Sequence, residues 1–260
     1  MKAAQLTRRA LFTVILSLVT VSVFAQAAPQ TFEPVVGQAG KDVVWVPTPQ
    51  PLVDKMLDMA KATPRDYLMD LGSGDGRLVI TAAKRGISAL GIEYDPNMVA
   101  LSQRNAQQEG VAERAKFVEA DLFETDFRRA TVITMFLMPD LNLKLRPKIL
   151  ELEPGTRVVS NSFDMADWEA DERVVLTEKD GCEGYCTARL WIVPAKFAGR
   201  HKTAQGELVL EQTFQKVKGR LRSDGKEVPV EGRVVGREVM LVAQGRKMRG
   251  VMKGGELALR

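Results

Sequence analysis

The stretch DLGSGDGR, residues Asp70 to Arg77, decides the fold of this 260-residue chain. It stands between an apolar run that predicts a strand and a periodic run that predicts a helix. Glycines at alternate positions let the backbone turn sharply and contact a ligand, because a Cβ atom would fill that space. In α/β proteins, ligands bind at the carboxyl ends of the strands, where such a turn lies. The stretch therefore predicts an α/β fold with a ligand site in this loop.

Short β-rich runs alternate with helical runs on both sides of the loop. This order predicts a mostly parallel, Rossmann-like sheet that is covered by helices on both faces. Two later β-runs, Arg173–Thr177 and Thr187–Val193, predict an antiparallel hairpin that completes seven strands. Thr48 is expected to cap the first helix. The other predicted strands are Tyr67–Leu71, Ala89–Glu93, Lys116–Val118, Val132–Phe136 and Arg157–Ser160, and the predicted helices are Pro49–Lys61, Arg77–Lys84, Pro96–Gln108 and Asn142–Leu150.

Residues 206–259 show no helical period. Their β-rich runs, such as Leu208–Val217 and Val228–Val235, are separated by glycine-containing segments, among them the one at Gly219. This pattern predicts a small C-terminal antiparallel β module.

Charge divides the chain into two parts. Residues 200–260 hold 14 Lys and Arg against 7 Asp and Glu, whereas residues 26–199 carry a net charge of −6. The basic part has three interpretations: a stabilising extension, a docking module for a protein substrate, or a surface for an anionic partner such as a phospholipid membrane. Nucleic acid is not expected as a partner, since the single aromatic residue there, Phe214, is too little for base stacking.

The N-terminus has the pattern of an export signal. Arg8 and Arg9 precede an apolar run, Ala10–Phe24, and small residues around Ala25. We predict a signal peptide over residues 1–25 and a periplasmic or secreted protein; an uncleaved anchor is the alternative. The arginine pair also loosely matches a twin-arginine signal.

Acidic residues stand at the predicted ends of three successive strands. Asp70 and Asp75 flank the glycines, where they would repel a pyrophosphate and attract a cationic ligand. Glu93 ends the second strand, where a carboxylate can accept both ribose hydroxyls. Asp121 follows the third strand and can accept an adenine amino group while Leu122 contacts the base. S-adenosylmethionine, with an ammonium group beside a sulfonium, fits this set and is the predicted cofactor.

Further motifs accompany the loop: WVPTP (Trp45–Pro49), MPDLNLKLRPKIL (Met138–Leu150) and RVVSNSFDMADW (Arg157–Trp168). With DLGSGDGRLVI they resemble the seven-stranded class I S-adenosylmethionine-dependent methyltransferases. The resemblance is closer to the bacterial and mitochondrial group that includes the ATP synthase c-subunit lysine methyltransferase, over residues 41–199. It implies cofactor binding by Asp70, Gly72, Gly74, Glu93 and Asp121, and a roof over the methyl-transfer site formed by Trp45, Pro47 and Thr48.

Methyl transfer needs alignment and a dehydrated pocket rather than a nucleophilic residue or a metal. The candidate catalytic residues are therefore the three roof residues together with Pro139 and Asn142. Loop and strand-end neighbours complete the predicted cofactor site: Ser73, Gly76, Tyr94 and Leu122. Further candidates are Phe136, Phe163 and Trp168 as walls of the acceptor site, and Asp140 and Asn161 as groups that orient an amine.

The chain contains one histidine, His201, which excludes a multi-histidine metal site, so no metal is expected. Cys182 and Cys186 form a disulfide in an exported protein or stay as two thiols. Both alternatives are open from the sequence.

The predicted organisation has four parts. A signal peptide (1–25) is followed by a segment that roofs the site (26–48), an S-adenosylmethionine-binding methyltransferase domain (49–199) and the basic β module (200–260). The predicted function is methyl transfer to an acceptor, with a protein lysine as the first choice. A small-molecule methyltransferase and a catalytically silent protein that binds an adenosine-like ligand are the alternatives.

Overall fold

The computed structural model describes residues 32–223, 225–253 and 256–260. The predicted signal peptide lies outside these residues. From Gln50 to Ile192 the described chain forms helices and the strands of a first sheet. The helices are α1 (Gln50–Met59), α2 (Arg77–Lys84), α3 (Pro96–Gln108), α4 (Pro139–Ile149) and the 3-10 helix Glu178–Asp180; the strands are β1 (Tyr67–Leu71), β2 (Ser88–Glu93), β3 (Ala115–Glu119), β4 (Val132–Met135), β5 (Arg157–Asn161), β6 (Glu172–Val175) and β7 (Thr187–Ile192).

The first sheet has the strand order β3-β2-β1-β4-β5-β7-β6. Strands β1 to β5 run parallel, and β7 is antiparallel to both of its neighbours. Successive side chains of a strand point to opposite faces: in β1, Leu68 packs with α1 to α3, and Met69 packs with α4. The predicted Rossmann-like sheet of seven strands is confirmed.

Asp95 and Pro96 determine where α3 begins, and therefore where the preceding strand β2 must end. The Asp95 carboxylate accepts a hydrogen bond from the Asn97 amide at 2.8 Å. Pro96 stands in the first turn, where no amide hydrogen is needed. The chain therefore leaves the sheet directly after Glu93, and the carboxylate of that residue stays at the sheet edge.

Two helix starts differ from the prediction. Thr48 does not cap α1, because the cap position is Pro49. The buried Thr48 hydroxyl instead accepts a hydrogen bond from the side-chain amide of Asn161 at 3.2 Å. Helix α4 begins at Pro139, because proline suits the first turn of a helix. Asn142 therefore lies inside the helix and does not cap it.

A second sheet follows, in which each strand pairs antiparallel with the next. Cα atoms of its first and last strands come within 8 Å of each other, so the sheet curls towards a barrel around an apolar cluster that includes Phe197 and Leu241. The predicted antiparallel module is confirmed. Its strands are β8 (Gly199–Thr203), β9 (Gly206–Thr213), β10 (Lys216–Ser223), β11 (Lys226–Val235), β12 (Glu238–Ala243), β13 (Arg246–Lys253) and β14 (Glu256–Leu259).

The second sheet has more strands than the predicted runs. The run Leu208–Val217 is divided by a turn at Phe214, whose φ of 51° reverses the chain between β9 and β10. Gly219 does not separate strands. It lies inside β10, where a Cβ atom would stand 1.9 Å from the Val209 carbonyl oxygen.

The two sheets contact each other through the segment before β6. The Trp168 and Phe214 rings stack at 5.9 Å, and the Gln215 side-chain amide donates to the Glu169 carbonyl oxygen at 2.6 Å. Trp168 is fully buried in this contact and is not a wall of an acceptor site, contrary to the prediction. The domain boundaries at residues 48 and 199 stay predictions. No helix within the described residues has the length and apolar character that crossing a membrane requires.

Candidate active site

The glycine loop connects β1 to α2 and is held by the neighbouring strand. The Gly72 and Ser73 amides both donate to the Ile92 carbonyl oxygen, at 2.9 and 3.0 Å. Gly74 has a φ of 55°, and a Cβ atom at this position would stand 2.8 Å from Nε1 of Trp45. Only glycine lets the indole lie so close to the loop.

Gly76 differs from the other loop glycines. A Cβ atom on it would stand 2.7 Å from the Phe117 ring and 2.9 Å from Cβ of Ser102. It therefore lets the loop pack against β3 and α3. Gly72, Ser73 and Gly74 line the candidate pocket, whereas Gly76 does not.

Asp70 is buried at the end of β1, where it is 6% exposed. The Thr134 hydroxyl donates to its carboxylate at 2.7 Å. Burial raises the pKa of Asp70 to about 7, and the nearby Glu93 and Asp75 carboxylates add to the rise. A cationic ligand in the pocket would favour the ionised form of Asp70, so ligand binding and ionisation support each other.

Backbone amides hold the Glu93 carboxylate in place. Its oxygens accept hydrogen bonds from Gly74 at 2.8 Å, from Tyr94 at 2.8 Å and from Asp95 at 3.1 Å. The half-buried carboxylate is thus fixed at the mouth of the pocket, where it can accept hydroxyl groups of a ligand.

Asp121, after β3, pairs with a cation from the N-terminal segment. Nζ of Lys41 lies 2.6 Å from its carboxylate, and the Phe123 amide donates to it at 2.8 Å. The Lys41 hydrogen bond, followed by the Phe123 amide, lowers the pKa of Asp121. The same ammonium lies 4.4 Å from the Tyr94 ring centroid. Leu122 and Tyr94 also line the pocket.

A roof segment, residues 38–48, lies along the pocket, and every one of its residues contributes to the lining. Trp45 covers the glycine loop, as described above. Thr48 is tied to Asn161 at the end of β5. Trp45, Pro47 and Thr48 thus lie on the pocket, and their predicted part in methyl transfer stays a prediction.

Three neighbouring aromatic rings also line the pocket, and we call them the aromatic box: Phe136, Phe163 and Tyr185. The Tyr185 ring lies 5.1 Å from Phe136 and 6.2 Å from Phe163, and the two Phe rings are 6.1 Å apart. Tyr185 lies in a loop closed by a disulfide between Cys182 and Cys186. Tyr185 was not predicted; an aromatic residue between two closely spaced cysteines is the signal that could have identified it.

Several predicted site residues do not line the pocket. Pro139 and Asp140 are exposed at the start of α4. Asn142 is buried inside that helix and donates its amide to the Asp164 carbonyl oxygen at 3.1 Å. Asn161 donates to Thr48 and does not itself line the pocket.

The charge of the lining selects a cationic ligand. Carboxylates outnumber cations there, with Asp42, Asp70, Asp75, Glu93, Asp95 and Asp121 against Lys41 and Arg77. The buried and only partly compensated Asp70 fits the ammonium and sulfonium groups of S-adenosylmethionine. The described part of the chain contains no cluster of three or more His, Cys, Asp or Glu side chains that could hold a metal ion.

Comparison with known proteins shows similarity to methyltransferases. The model of the ANTKMT methyltransferase domain matches residues 70–172. A protein-lysine N-methyltransferase of Saccharolobus islandicus is 40% identical over 163 residues, which are 62% of this chain and 96% of the relative. The ATP synthase c-subunit lysine N-methyltransferase of Homo sapiens is 37% identical over 128 residues, 49% of this chain and 54% of the relative, so this chain spans about half of that protein.

A solved structure is also similar. It is the crystal structure of an RNA methyltransferase from Salinibacter ruber in complex with S-adenosyl-L-homocysteine. It is 46% identical, with a TM-score of 0.54, and the match covers 58% of this chain and 96% of that chain.

Proposed function

This chain belongs to the S-adenosylmethionine-dependent methyltransferase family that includes the protein-lysine N-methyltransferase of Saccharolobus islandicus, and from this premise we propose that it methylates lysine side chains of a protein. One observation carries the proposal: a single pocket has two unlike halves. The lining carboxylates Asp70, Glu93 and Asp121 belong to the ends of β1, β2 and β3 on one side of the sheet, and the aromatic box belongs to the ends of β4, β5 and β7 on the other. A cationic cofactor suits the first half, and the alkyl chain and amine of lysine suit the second.

We assign the acidic half to the cofactor. When bound, S-adenosylmethionine supplies a methyl group on a positively charged sulfur, which activates the methyl carbon for attack. Asp70 and the surrounding carboxylates balance the positive charge of the ligand. Glu93, which three backbone amides orient, accepts the ribose hydroxyls, and Asp121 accepts the adenine amino group.

The other half prepares the acceptor. Methyl transfer is an in-line displacement, so the chain contributes alignment and the exclusion of water. Trp45 and the aromatic box provide apolar walls for this purpose. The lysine side chain binds as an ammonium group, and its amine must be neutral to attack. Nζ of the acceptor therefore releases its proton to solvent before attack, and the C–S bond to the methyl group breaks as the new N–C bond forms.

A protein acceptor is favoured over RNA, although the Salinibacter ruber relative is named an RNA methyltransferase. RNA binding depends on cations that neutralise phosphates. The carboxylates that line this pocket outnumber its cations and would repel a phosphate backbone. The same charges attract a lysine side chain.

Calorimetric titration of the full chain with S-adenosylmethionine and S-adenosylhomocysteine tests the cofactor half. The variants Asp70→Asn and Glu93→Gln should each weaken binding by about a hundredfold, the size of effect expected for charged hydrogen bonds that are buried. Glu119→Gln is the matched control, because Glu119 is the partner of Glu93 in the strand register and is exposed outside the pocket. Absence of binding by the wild-type chain would overturn the assignment.

The acceptor is identified with an S-adenosylmethionine that is labelled on its methyl group. Envelope proteins and total RNA are offered in parallel, and labelled proteins are digested and examined by mass spectrometry for methylated lysine. Label on protein lysine supports the proposal, and label on RNA alone overturns it. Binding of the cofactor without transfer to any protein, RNA or small-molecule fraction would instead support a catalytically silent binding protein.

We also propose that the protein is exported. The signal-like residues 1–25 support this proposal, and so does the Cys182–Cys186 disulfide, because disulfides persist in oxidising compartments. Residues 1–30 fused to a reporter should direct its export, and replacement of Arg8 and Arg9 by Lys should prevent export if the twin-arginine route is used. Retention of the unaltered fusion in the cytoplasm would overturn the proposal.

For the basic module we propose contact with an anionic membrane surface, on the basis of the net charge of residues 200–260. The protein should sediment with vesicles that contain phosphatidylglycerol and not with phosphatidylcholine vesicles. Salt at 0.5 M should release it, because the Debye length at this ionic strength lies between about 3 and 10 Å and exposed charges are screened beyond that distance. Equal sedimentation with both vesicle types would contradict the contact.

A further inference from the structure

We infer that the aromatic box binds the ammonium group of the acceptor, and that the Cys182–Cys186 disulfide positions its third ring, Tyr185. The inference rests on the proposed function, because it names the chemical group that the acceptor half of the same pocket receives. Aromatic faces attract ammonium and methylated ammonium groups. One box can therefore hold lysine both before and after methyl transfer.

The three rings reach one edge of the sheet from three strands. Phe136 directly follows β4, Phe163 lies two residues after β5, and Tyr185 lies two residues before β7. Strand β5 lies between β4 and β7, and β7 runs antiparallel to it. The start of β7 is therefore beside the carboxyl ends of β4 and β5, which is where the cofactor half of the pocket begins.

The box differs from the aromatic clusters of the core. Tyr185 is 45% exposed and the two Phe rings are half-buried, whereas the nearby Trp168 and Trp191 are fully buried. Ring faces that stay accessible in a pocket are available to a ligand. An acidic pocket next to them brings a cation to these faces.

The disulfide anchors the loop that carries Tyr185. Cys182 and Cys186 are 2% and 9% exposed and pack in the apolar cluster that contains α1. The Cys182 amide donates to the Thr177 carbonyl oxygen at 3.2 Å, and the Leu176 amide donates to that of Cys186 at 2.9 Å. Between two buried sulfurs, Tyr185 has little freedom to leave the pocket. Tyr185 is thus a binding residue, and the two cysteines are positioning residues.

Titration of Nα-acetyl-Nε-trimethyl-lysine amide into the full chain saturated with S-adenosylhomocysteine tests the box without requiring transfer. Tyr185→Ala should weaken binding of this probe by about tenfold, and Tyr185→Phe should restore it, as expected for a cation on a ring face. The affinity for S-adenosylhomocysteine should not change. Tyr67→Ala is the control, because Tyr67 starts β1 at the opposite sheet edge, where the Arg129 guanidinium lies 4.1 Å from its ring centroid.

A double-mutant cycle tests the positioning role of the disulfide. The Cys182→Ser/Cys186→Ser variant should bind the probe several-fold more weakly, and adding Tyr185→Ala should cause little further loss, because the bridge acts through that ring. With the protein acceptor, both variants should raise KM by a larger factor than they lower kcat, since the ring mainly binds the ammonium group of the acceptor. If the cysteine substitutions only lowered stability, their effect on probe binding and that of Tyr185→Ala would be additive.

The outcomes separate this inference from the proposed function. Weaker probe binding by Tyr185→Ala, in a protein that methylates no lysine, would support the box and refute the function. If Tyr185→Ala methylates lysine with an unchanged KM, the proposed function stands and the role of the aromatic box is overturned. Absence of probe binding by the wild-type chain would also overturn the role of the aromatic box. An equal effect of Tyr185→Ala with and without the bridge would overturn the role of the cysteines.

Discussion

The two seven-stranded sheets differ in the polar groups that they bury. Among the described residues, the buried polar side chains lie before the second sheet, apart from Gln215, whose amide bonds back to the Glu169 carbonyl oxygen, and from the buried amide oxygen of Gln205. Several of them surround the pocket, such as Asp70, Ser73 and Thr48. The second sheet places its charges outside instead, as in the pair of Lys218 and Glu211, whose side chains are more than three-quarters exposed.

This difference indicates where function lies. A buried polar group costs free energy unless a partner satisfies it, so a fold keeps such groups where a ligand needs them. Exposed ion pairs contribute little to stability. The first sheet thus carries the chemistry, and the second is stabilised by its apolar cluster. Changes in the first sheet should affect binding of the cofactor and the acceptor, and changes in the second should not.

The largest effect is expected at Gly74. In Gly74→Ala the new Cβ atom would stand 2.8 Å from Nε1 of Trp45 on a backbone with a φ of 55°. The roof must then move off the loop, and the methyl group also enters the space of the ligand. We expect loss of methyl transfer and affinity for S-adenosylhomocysteine reduced by at least about a hundredfold, measured by titration calorimetry.

Gly110→Ala is the matched control for this change. Gly110 has a similar φ of 68°, and nothing lies within 4 Å of a Cβ atom there. It repeats the backbone strain without the clash. Equal loss of affinity in both variants would mean that strain and not the close approach of Trp45 explains the effect.

The next effect is a pH dependence from Asp70. Its pKa of about 7 means that the carboxyl becomes neutral as the pH falls through neutrality. A cationic ligand prefers the ionised form, so affinity for S-adenosylmethionine should fall by about tenfold from pH 8 to pH 6. In Asp70→Asn the affinity should be low and should not change over this range. An unchanged wild-type affinity would place the positive charge of the ligand elsewhere.

Ionisation of Asp70 has the opposite effect on the stability of the folded chain: ligand affinity rises with pH, whereas stability falls. Because burial raises the pKa of Asp70 above its unfolded value of 3.8, the folded chain holds this proton more tightly than the unfolded chain does. The stability from this group is full below that unfolded value and is lost as the pH rises through about 7. Asp70→Asn should therefore melt at a higher temperature than the wild type at pH 8, and melting curves at pH 6 and 8 measure the difference.

The first sheet was predictable because its signals are local. β1 and α2 have the predicted bounds, since apolar runs and the glycine loop mark where the strand ends and the helix begins. The start of α4 was missed because Pro139 was interpreted as a candidate catalytic residue, although proline is also a signal for a helix start.

Contacts between distant residues could not be predicted in this way. Lys41 and Asp121 pair across 80 residues of sequence, and only the folded roof segment brings them together. Tyr185 joins the aromatic box because β7 lies beside β5, a strand order that the hairpin pattern alone does not give. Asn142 was expected at the start of a helix, and the earlier start of α4 places it in the helix interior instead.

A smaller effect is expected at the contact between the sheets. The Arg233 guanidinium lies 2.5 Å from the Asp171 carboxylate, which is 11% exposed. Arg233→Met should lower the free energy of unfolding by about 1 to 2 kcal/mol, because a mostly buried carboxylate loses one partner. Urea unfolding measures it. Lys216→Met removes the exposed pair with Glu169 across the same contact and should change little; equal losses would contradict the role of burial.

The smallest effect is expected at Arg249, which pairs with Glu238 between β13 and β12 on the outside of the second sheet. Their side chains are 60% and 42% exposed, so water already solvates both charges. Arg249→Gln should shift the melting temperature by no more than about 1 °C, and 0.5 M salt should remove any difference. Cofactor affinity should not change. A change in affinity would show that the second sheet acts on the site, and the contrast between the two sheets would then no longer hold.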